Sequence, residues 1–206
     1  MIKRPYRRCS ITVIGTLAVL LAGIVAGPAM ANASAVPAVN ASGCSSPQLS
    51  QPFLSLGDPN WYALAAGQTA DNFDGAGWTL VGGANIATTQ LADGQTGSVL
   101  NLPSGAAAVS PRICVDADYS TARTMIESAA GANVALSVMH LAESSSAVPQ
   151  RAGEIQGSGA GWSASAPFNI APGPGSGWRL VRFVFDSTGF RGHAQLYDFF
   201  LDPRMK

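Results

Sequence analysis

The sequence predicts an all-β protein built as a sandwich, and three observations predict it. Its apolar segments are short and rich in β-branched and aromatic residues, with Gly/Pro punctuation at 82–83, 103–105, 157–161 and 171–177. The 23 glycines and 13 prolines in 206 residues disfavour a helical bundle, and no G-X-Y period suggests collagen. Charged residues make up only 12% of the chain, with no charge block and no internal repeat. The usual soluble domain carries roughly 25%.

The first segment reads as an address. Lys3, Arg4, Arg7 and Arg8 form a positive n-region, and Ile11 to Ala26 is an uncharged apolar run of 16 residues ended by Pro28. Small residues at Ala29-Met30-Ala31 and Ala31-Asn32-Ala33 offer two cleavage points, after Ala31 or after Ala33. That is the pattern of a secretory signal peptide, a short helix over 1–33. The run falls short of the ~20 residues that a membrane-spanning helix needs. Residues 34–43 follow as a low-complexity, flexible leader, and 44–206 form one domain of ordinary size.

Cleavage removes four basic residues and leaves eight against twelve acids, a mature charge of −4. There is no basic patch, so phosphate-backbone binding and nucleic-acid partners are not expected. Nothing beyond the signal is long and apolar enough for a membrane helix, and the chain is expected to be a secreted monomer. Cys9 leaves with the signal, and Cys44 and Cys114 remain. An even pair in an exported chain reads as one disulfide, which would close a loop of about 70 residues and stabilise by roughly 4 kcal/mol. The competing reading is a lipid on Cys44. Against it, the lipobox lacks its branched aliphatic residue, and Cys114 would be left unpaired.

The strands are read in order. Trp78–Val81 and Ala84–Ile86 flank Gly82-Gly83, which reads as a hairpin turn. Ser98–Leu102 stops at Pro103. Arg112–Asp116 alternates, with Ile113 and Val115 on one face. Val134, Leu136 and Val138 alternate with small or polar residues, and His140 ends that strand. Trp178–Phe185 carries Val181, Phe183 and Phe185 on one face and Leu180 and Val184 on the other, so it reads as a central strand. His193–Leu201 closes the domain. Segment 120–130 could start as a helix capped by Ser120 or Thr121. Strand is favoured, because it would then pair with its neighbour 133–140.

Three stretches carry a resemblance. Asp71-Asn72-Phe73-Asp74-Gly75-Ala76-Gly77-Trp78-Thr79-Leu80-Val81-Gly82-Gly83-Ala84 resembles the opening of jelly-roll, galactose-binding-like domains, which include carbohydrate-binding modules. Trp178–Phe185 is similar to their penultimate strand, and Ala194–Pro203 to their last one. The chain from Cys44 onward also resembles a group of small secreted actinobacterial proteins of unknown function. The resemblance implies a jelly-roll β-sandwich. It implies no particular activity, because that architecture serves sugar binding, adhesion and accessory roles alike. It also implies a structural calcium between Asp74 and Asp198, although Tyr197 stands where a second acid is expected.

Candidate chemistry is sparse. His140 and Glu143 lack the second histidine of a metal site, neither histidine lies in a hydrolase motif, and no G-x-S-x-G occurs. Asp116 and Asp118 read as loop residues. The glycine runs lack the Lys-Ser/Thr of a phosphate loop. Trp78 reads as core. Trp61, Trp162 and Trp178 are the binding candidates, because aromatic faces pack on the C–H faces of sugars. The chain is therefore expected to be no enzyme and to need no cofactor beyond that calcium. The expected function is binding of a cell-envelope or extracellular glycan, with a structural or adhesive envelope protein as the alternative and an extracellular hydrolase third.

Overall fold

The computed structural model describes residues 41–128, 132–141, 148–170, 177–187 and 193–203. The segment expected to be a signal peptide, most of the expected leader and Glu143 lie outside these residues.

Alternation of apolar and polar residues drives the chain into strands. In chain order they are β1 (Leu49–Ser50), β2 (Tyr62–Leu64), β3 (Thr79–Val81), β4 (Asn85–Gln90), β5 (Thr96–Leu102), β6 (Ala107–Val109) and β7 (Ile113–Val115). Then follow β8 (Tyr119–Ser128), β9 (Asn133–His140), β10 (Gln150–Gln156), β11 (Ser163–Ala164), β12 (Phe168–Asn169), β13 (Arg179–Asp186) and β14 (Ala194–Pro203). A 3-10 turn, Leu54–Leu56, lies between β1 and β2.

The strands form two antiparallel sheets, an all-β sandwich of jelly-roll type. In the first, β8 and β14 pair along their length, β11 and β12 extend the β8 side, and β14 meets β5–β4 with one half and β2–β1 with the other. In the second, β13 lies between β9–β10 on one side and β6–β3 plus β7 on the other. The central position expected for Trp178–Phe185 is observed as β13. Phe199 of β14 packs on Phe183 and Phe185 of β13, centroid distances 5.0 and 5.1 Å, and joins the two layers. Trp78 is core, set against Phe73 and Phe185, with its indole N–H donating to the Ala66 carbonyl at 3.1 Å.

Two pairings differ from expectation. Gly82-Gly83 makes a turn, with the Ala84 amide donating to the Val81 carbonyl, but not a hairpin. Its arms part, β3 to β6 in one sheet and β4 to β5 in the other. Gly82 has φ +65°, and a Cβ there would meet the Gly105 carbonyl oxygen at 2.4 Å, so the corner requires glycine. Residues 119–128 are a strand, as favoured, but β8 does not pair with β9. The two belong to different sheets, because β8 buries Ile126 against the core from one layer while β9 buries Leu136 from the other. The sequence reading also passed over β1, β2, β6, β10, β11 and β12, most of them too short to show a period.

Cys44 and Cys114 are bonded, with Cα atoms 5.7 Å apart and 70 residues between them in sequence. The bond ties the start of the domain to β7.

Candidate ligand cleft on the outer face of the β8–β14 sheet

Register defines the outer face. Leu196 pairs with Ile126, and both are core. Tyr197 and Met125, one residue on, therefore point to the opposite side, as do Phe200 and Arg123. The segment 51–58 folds over this face. Phe53 sets its ring edge-on to Tyr62 and Phe200, at 5.1 and 5.6 Å, with the Arg123 guanidinium 4.7 Å from its centroid. Asp58 accepts hydrogen bonds from Arg123 and from the Tyr62 hydroxyl through one oxygen. Burial pushes the Asp58 carboxyl up, but the hydrogen bonds of Tyr62, the Asn60 amide and Arg123 outweigh it and hold the group below its ordinary value.

The strand β14 is bulged where it crosses this face. Register shifts between Tyr197 and Phe200, and Asp198 is the extra residue, in the left-handed region at φ 53°. Here β14 passes from β5 to β2; the Phe199 carbonyl accepts from the Ala65 amide at 2.9 Å, but the Phe199 amide lacks a backbone partner on that side. Gln68 supplies one: its side-chain N–H donates to the Phe199 carbonyl and its oxygen accepts from the Phe199 amide, both at 3.1 Å. On the other side the Thr124 hydroxyl donates to the Tyr197 carbonyl at 2.9 Å.

Asp198 accepts a 2.9 Å hydrogen bond from the amide of Asp71. Asp71 is itself left-handed, at φ 60°, and no other non-glycine among the described residues has a positive φ. Such conformations cost of order 1–3 kcal/mol each for residues with a side chain and concentrate at functional sites. Gly97 lets this turn sit against β5, since a Cβ there would meet the Asp71 carbonyl at 2.4 Å.

Asp71, Asp93, Asp198, Tyr197, Met125 and Ala92 line one side and the floor of a cleft of about 280 Å³, and Pro52, Phe53, Ser55 and Leu56 line the other side. Asp198 is only 7% exposed. Burial, opposed by the Asp71 amide and assisted by the Asp71 charge, raises its carboxyl to about 7. Burial likewise raises the Tyr197 hydroxyl to about 12, despite the hydrogen bond of the Ala92 amide, so it remains protonated. Near neutrality Asp198 can therefore either accept or donate a hydrogen bond, while Asp71 and Asp93 sit at the exposed rim.

The tryptophans are not brought together. Trp162 backs this cleft: its ring lies edge-on to Tyr197 at 4.8 Å, and its N–H donates to the Gln90 carbonyl at 2.8 Å. Trp178 stands against Tyr119, 5.8 Å away, at the other end of β8. Trp162 precedes Ser163, the partner of Ile126, so the two tryptophans are about 23 Å apart along that strand. Trp61 is exposed on the loop before β2. Asp74 is exposed and accepts a hydrogen bond from the Ala76 amide in its own turn, at 2.8 Å. It is Asp71, three residues earlier, that meets Asp198. No three His, Cys, Asp or Glu side chains converge as for a metal among the described residues. The sequence reading missed Asp71, Asp93, Met125 and Leu56. The one available signal was a pair of adjacent polar residues, Tyr197-Asp198, between the apolar Leu196 and Phe199-Phe200-Leu201 of the last strand.

No protein-family model and no curated protein matches this sequence. Among solved structures, the chain is similar to the CBM22-1 xylan-binding domain of Paenibacillus barcinonensis Xyn10C, at 13% identity and TM-score 0.40, over 61% of this chain and 85% of that one. It is similar to the family 11 carbohydrate-binding module of Clostridium thermocellum, at 11% identity and TM-score 0.40, over 63% and 91%. It is also similar to a family two carbohydrate esterase of Cellvibrio japonicus, at 14% identity and TM-score 0.31, over 61% of this chain but only 33% of that one.

Proposed function

We propose that this protein binds an extracellular or cell-envelope glycan in the cleft, without catalysis. The observation that supports the reading is the convergence of Asp71 and Asp198, both in a strained left-handed conformation and joined by a hydrogen bond from the Asp71 amide, with Met125 on their side of the cleft and Leu56 as an apolar wall opposite. Carboxylates accept hydrogen bonds from sugar hydroxyls, and the apolar wall suits the C–H face of the ring. Asp93, exposed at the rim of the same cleft, offers a further acceptor. No histidine lines the cleft, which leaves it without the usual partner of a nucleophile.

The test is retention of the purified mature chain on insoluble polysaccharides and cell walls, followed by calorimetric titration with the soluble fragment that is retained. Asp93→Asn keeps the size of the rim residue and is expected to weaken binding about tenfold, the loss of a charge-assisted hydrogen bond, with the melting temperature unchanged. Retention on no glycan, or unaltered affinity in Asp93→Asn and Leu56→Ala together, overturns the assignment.

A second reading, adhesion without a small ligand, is favoured by the exposure of Leu54 and Leu56 (56% and 58%) on the 3-10 turn. It predicts that Leu54→Asp abolishes cell-wall retention while no soluble glycan binds.

A further inference from the structure

A second concavity lies apart from this cleft, where β7 of one sheet faces β2 and the start of β8 of the other. It encloses about 210 Å³. Its position follows from the register. Phe200 takes the outer face of β14, so Leu201 and its partner Ala63 turn inward, as does Ile113 of β7. The small residues Ala63, Ala65 and Ala66 line the gap where larger side chains would fill it. The Cys44–Cys114 bond holds the segment that carries Ser45 and Pro47 along one side.

The lining is otherwise apolar, and beside Ser45 its polar side chains are Arg112 and Tyr119. Arg112 is its one charged residue. It is exposed, and its guanidinium makes no ion pair or hydrogen bond among the described residues. No carboxylate is in the lining, and the acids nearest in sequence, Asp116 and Asp202, already accept from the Asp118 amide and the Thr121 hydroxyl. Tyr119 is 4% exposed, with its ring against Trp178 at 5.8 Å. Its hydroxyl makes no hydrogen bond among the described residues. Burial, and after it the charge of Asp116, raises that hydroxyl to about 12, so it stays protonated and can donate. A buried hydroxyl without a partner is unfavourable, and a ligand that accepts from it offsets that cost.

We propose that this crevice is a second ligand site, independent of the cleft, and that it takes one small aromatic carboxylate, its ring among the alanines and its carboxylate at Arg112. The volume equals about seven waters of bulk liquid, which suits one ring with its substituent and not a chain. Alanine, leucine and isoleucine side chains cover an apolar ring and offer nothing to the hydroxyls of a sugar. The unpaired guanidinium selects the carboxylate, which it can hold through two parallel N–H bonds. Tyr119 adds a neutral donor.

The experiment is amide NMR of the purified chain titrated with sodium benzoate. Benzoate is expected to move the amides of Ala65, Ala66 and Cys114 in a saturable way and to leave those of Ala92 and Asp93, in the cleft, in place. Sodium acetate carries the charge without the ring, and benzyl alcohol the ring without the charge. Each is expected to bind at least about fivefold more weakly than benzoate. Arg112 is exposed, so Arg112→Gln folds normally. It should weaken benzoate roughly fivefold or more and leave benzyl alcohol unchanged. Tyr119→Phe keeps the ring against Trp178 and should weaken benzoate roughly threefold without lowering the melting temperature. The tripeptide Gly-Gly-Phe separates a free acid from a peptide end, and tighter binding of the tripeptide than of benzoate overturns the assignment. An equal effect of acetate, undiminished benzoate binding in Arg112→Gln, or no saturable movement at Ala65, Ala66 and Cys114 also overturns it, whatever the outcome at the cleft.

Discussion

Asp198→Asn tests the electrostatics of the bulge directly. Asp198 is 7% exposed and its carboxyl is raised from an ordinary 3.8 to about 7, chiefly by burial. A group that binds its proton more tightly in the folded state favours folding at low pH. That advantage is complete below pH 4 and is lost as pH rises to about 7. The displacement corresponds to about 4 kcal/mol at full ionisation, an upper bound, because some of the charge is relieved by local relaxation. Asparagine has the same shape, tolerates the left-handed region at least as well, and keeps an oxygen for the Asp71 amide. Asp198→Asn should therefore stabilise the protein by roughly 2–4 kcal/mol at pH 8 and change it little at pH 4. Urea unfolding of both proteins at half-unit steps from pH 4 to 8 reads the difference, and other carboxylates cancel because both proteins share them. A variant equally or less stable than the parent at pH 8, or a difference that does not vary with pH, would refute the reasoning.

Four further outcomes follow from the packing. Replacing Cys44 and Cys114 together by serine should cost about 4 kcal/mol through the 70-residue loop. The melting temperature should fall by roughly 8–16 °C, and a fall under a few degrees would mean that only the N-terminal segment is held by the bond. Arg123→Ala leaves the Asp58 carboxylate, 15% exposed, without its cation and uncovers Phe53. About 2–3 kcal/mol should be lost in chemical denaturation. Trp178→Ala should lower the melting temperature and leave glycan retention intact, whereas Trp61→Ala should leave the melting temperature unchanged, since Trp61 is 44% exposed. Excess chelator should leave the melting temperature in place, because Asp74 and Asp198 each already accept a hydrogen bond from a backbone amide. A fall of several degrees would restore the calcium.

The cleft was only partly legible. Trp162 and Asp198 were singled out from sequence; Asp198 lines the cleft, and Trp162 packs behind it against Tyr197. The Trp162 ring lies edge-on to Tyr197, and Asp198 accepts from the amide of Asp71, contacts that no motif announced. Asp71 and Asp93 look like ordinary turn aspartates in sequence. They gain meaning only because β14, more than a hundred residues later, passes beneath them.

What the sequence determined by itself is what local alternation encodes. Val181, Phe183 and Phe185 on one face of a strand, with Leu180 and Val184 on the other, call for neighbours on both edges, and β13 has them, with the first face buried and the second half-buried. Over 119–128 the sequence favours strand for a pairing with 133–140 that the structure does not make; β8 pairs with β14 instead. Tertiary structure decided which strands pair. A turn such as Gly82-Gly83 fixes a reversal of direction but not whether its arms stay in one layer, and here burial of each arm against a different neighbour separated them. It also placed the bulge at Asp198. The polar Asp198 marks an interruption in the strand but not the bulge itself, which is fixed by where β5 ends, where β2 begins, and the Gln68 amide that bonds the backbone between them.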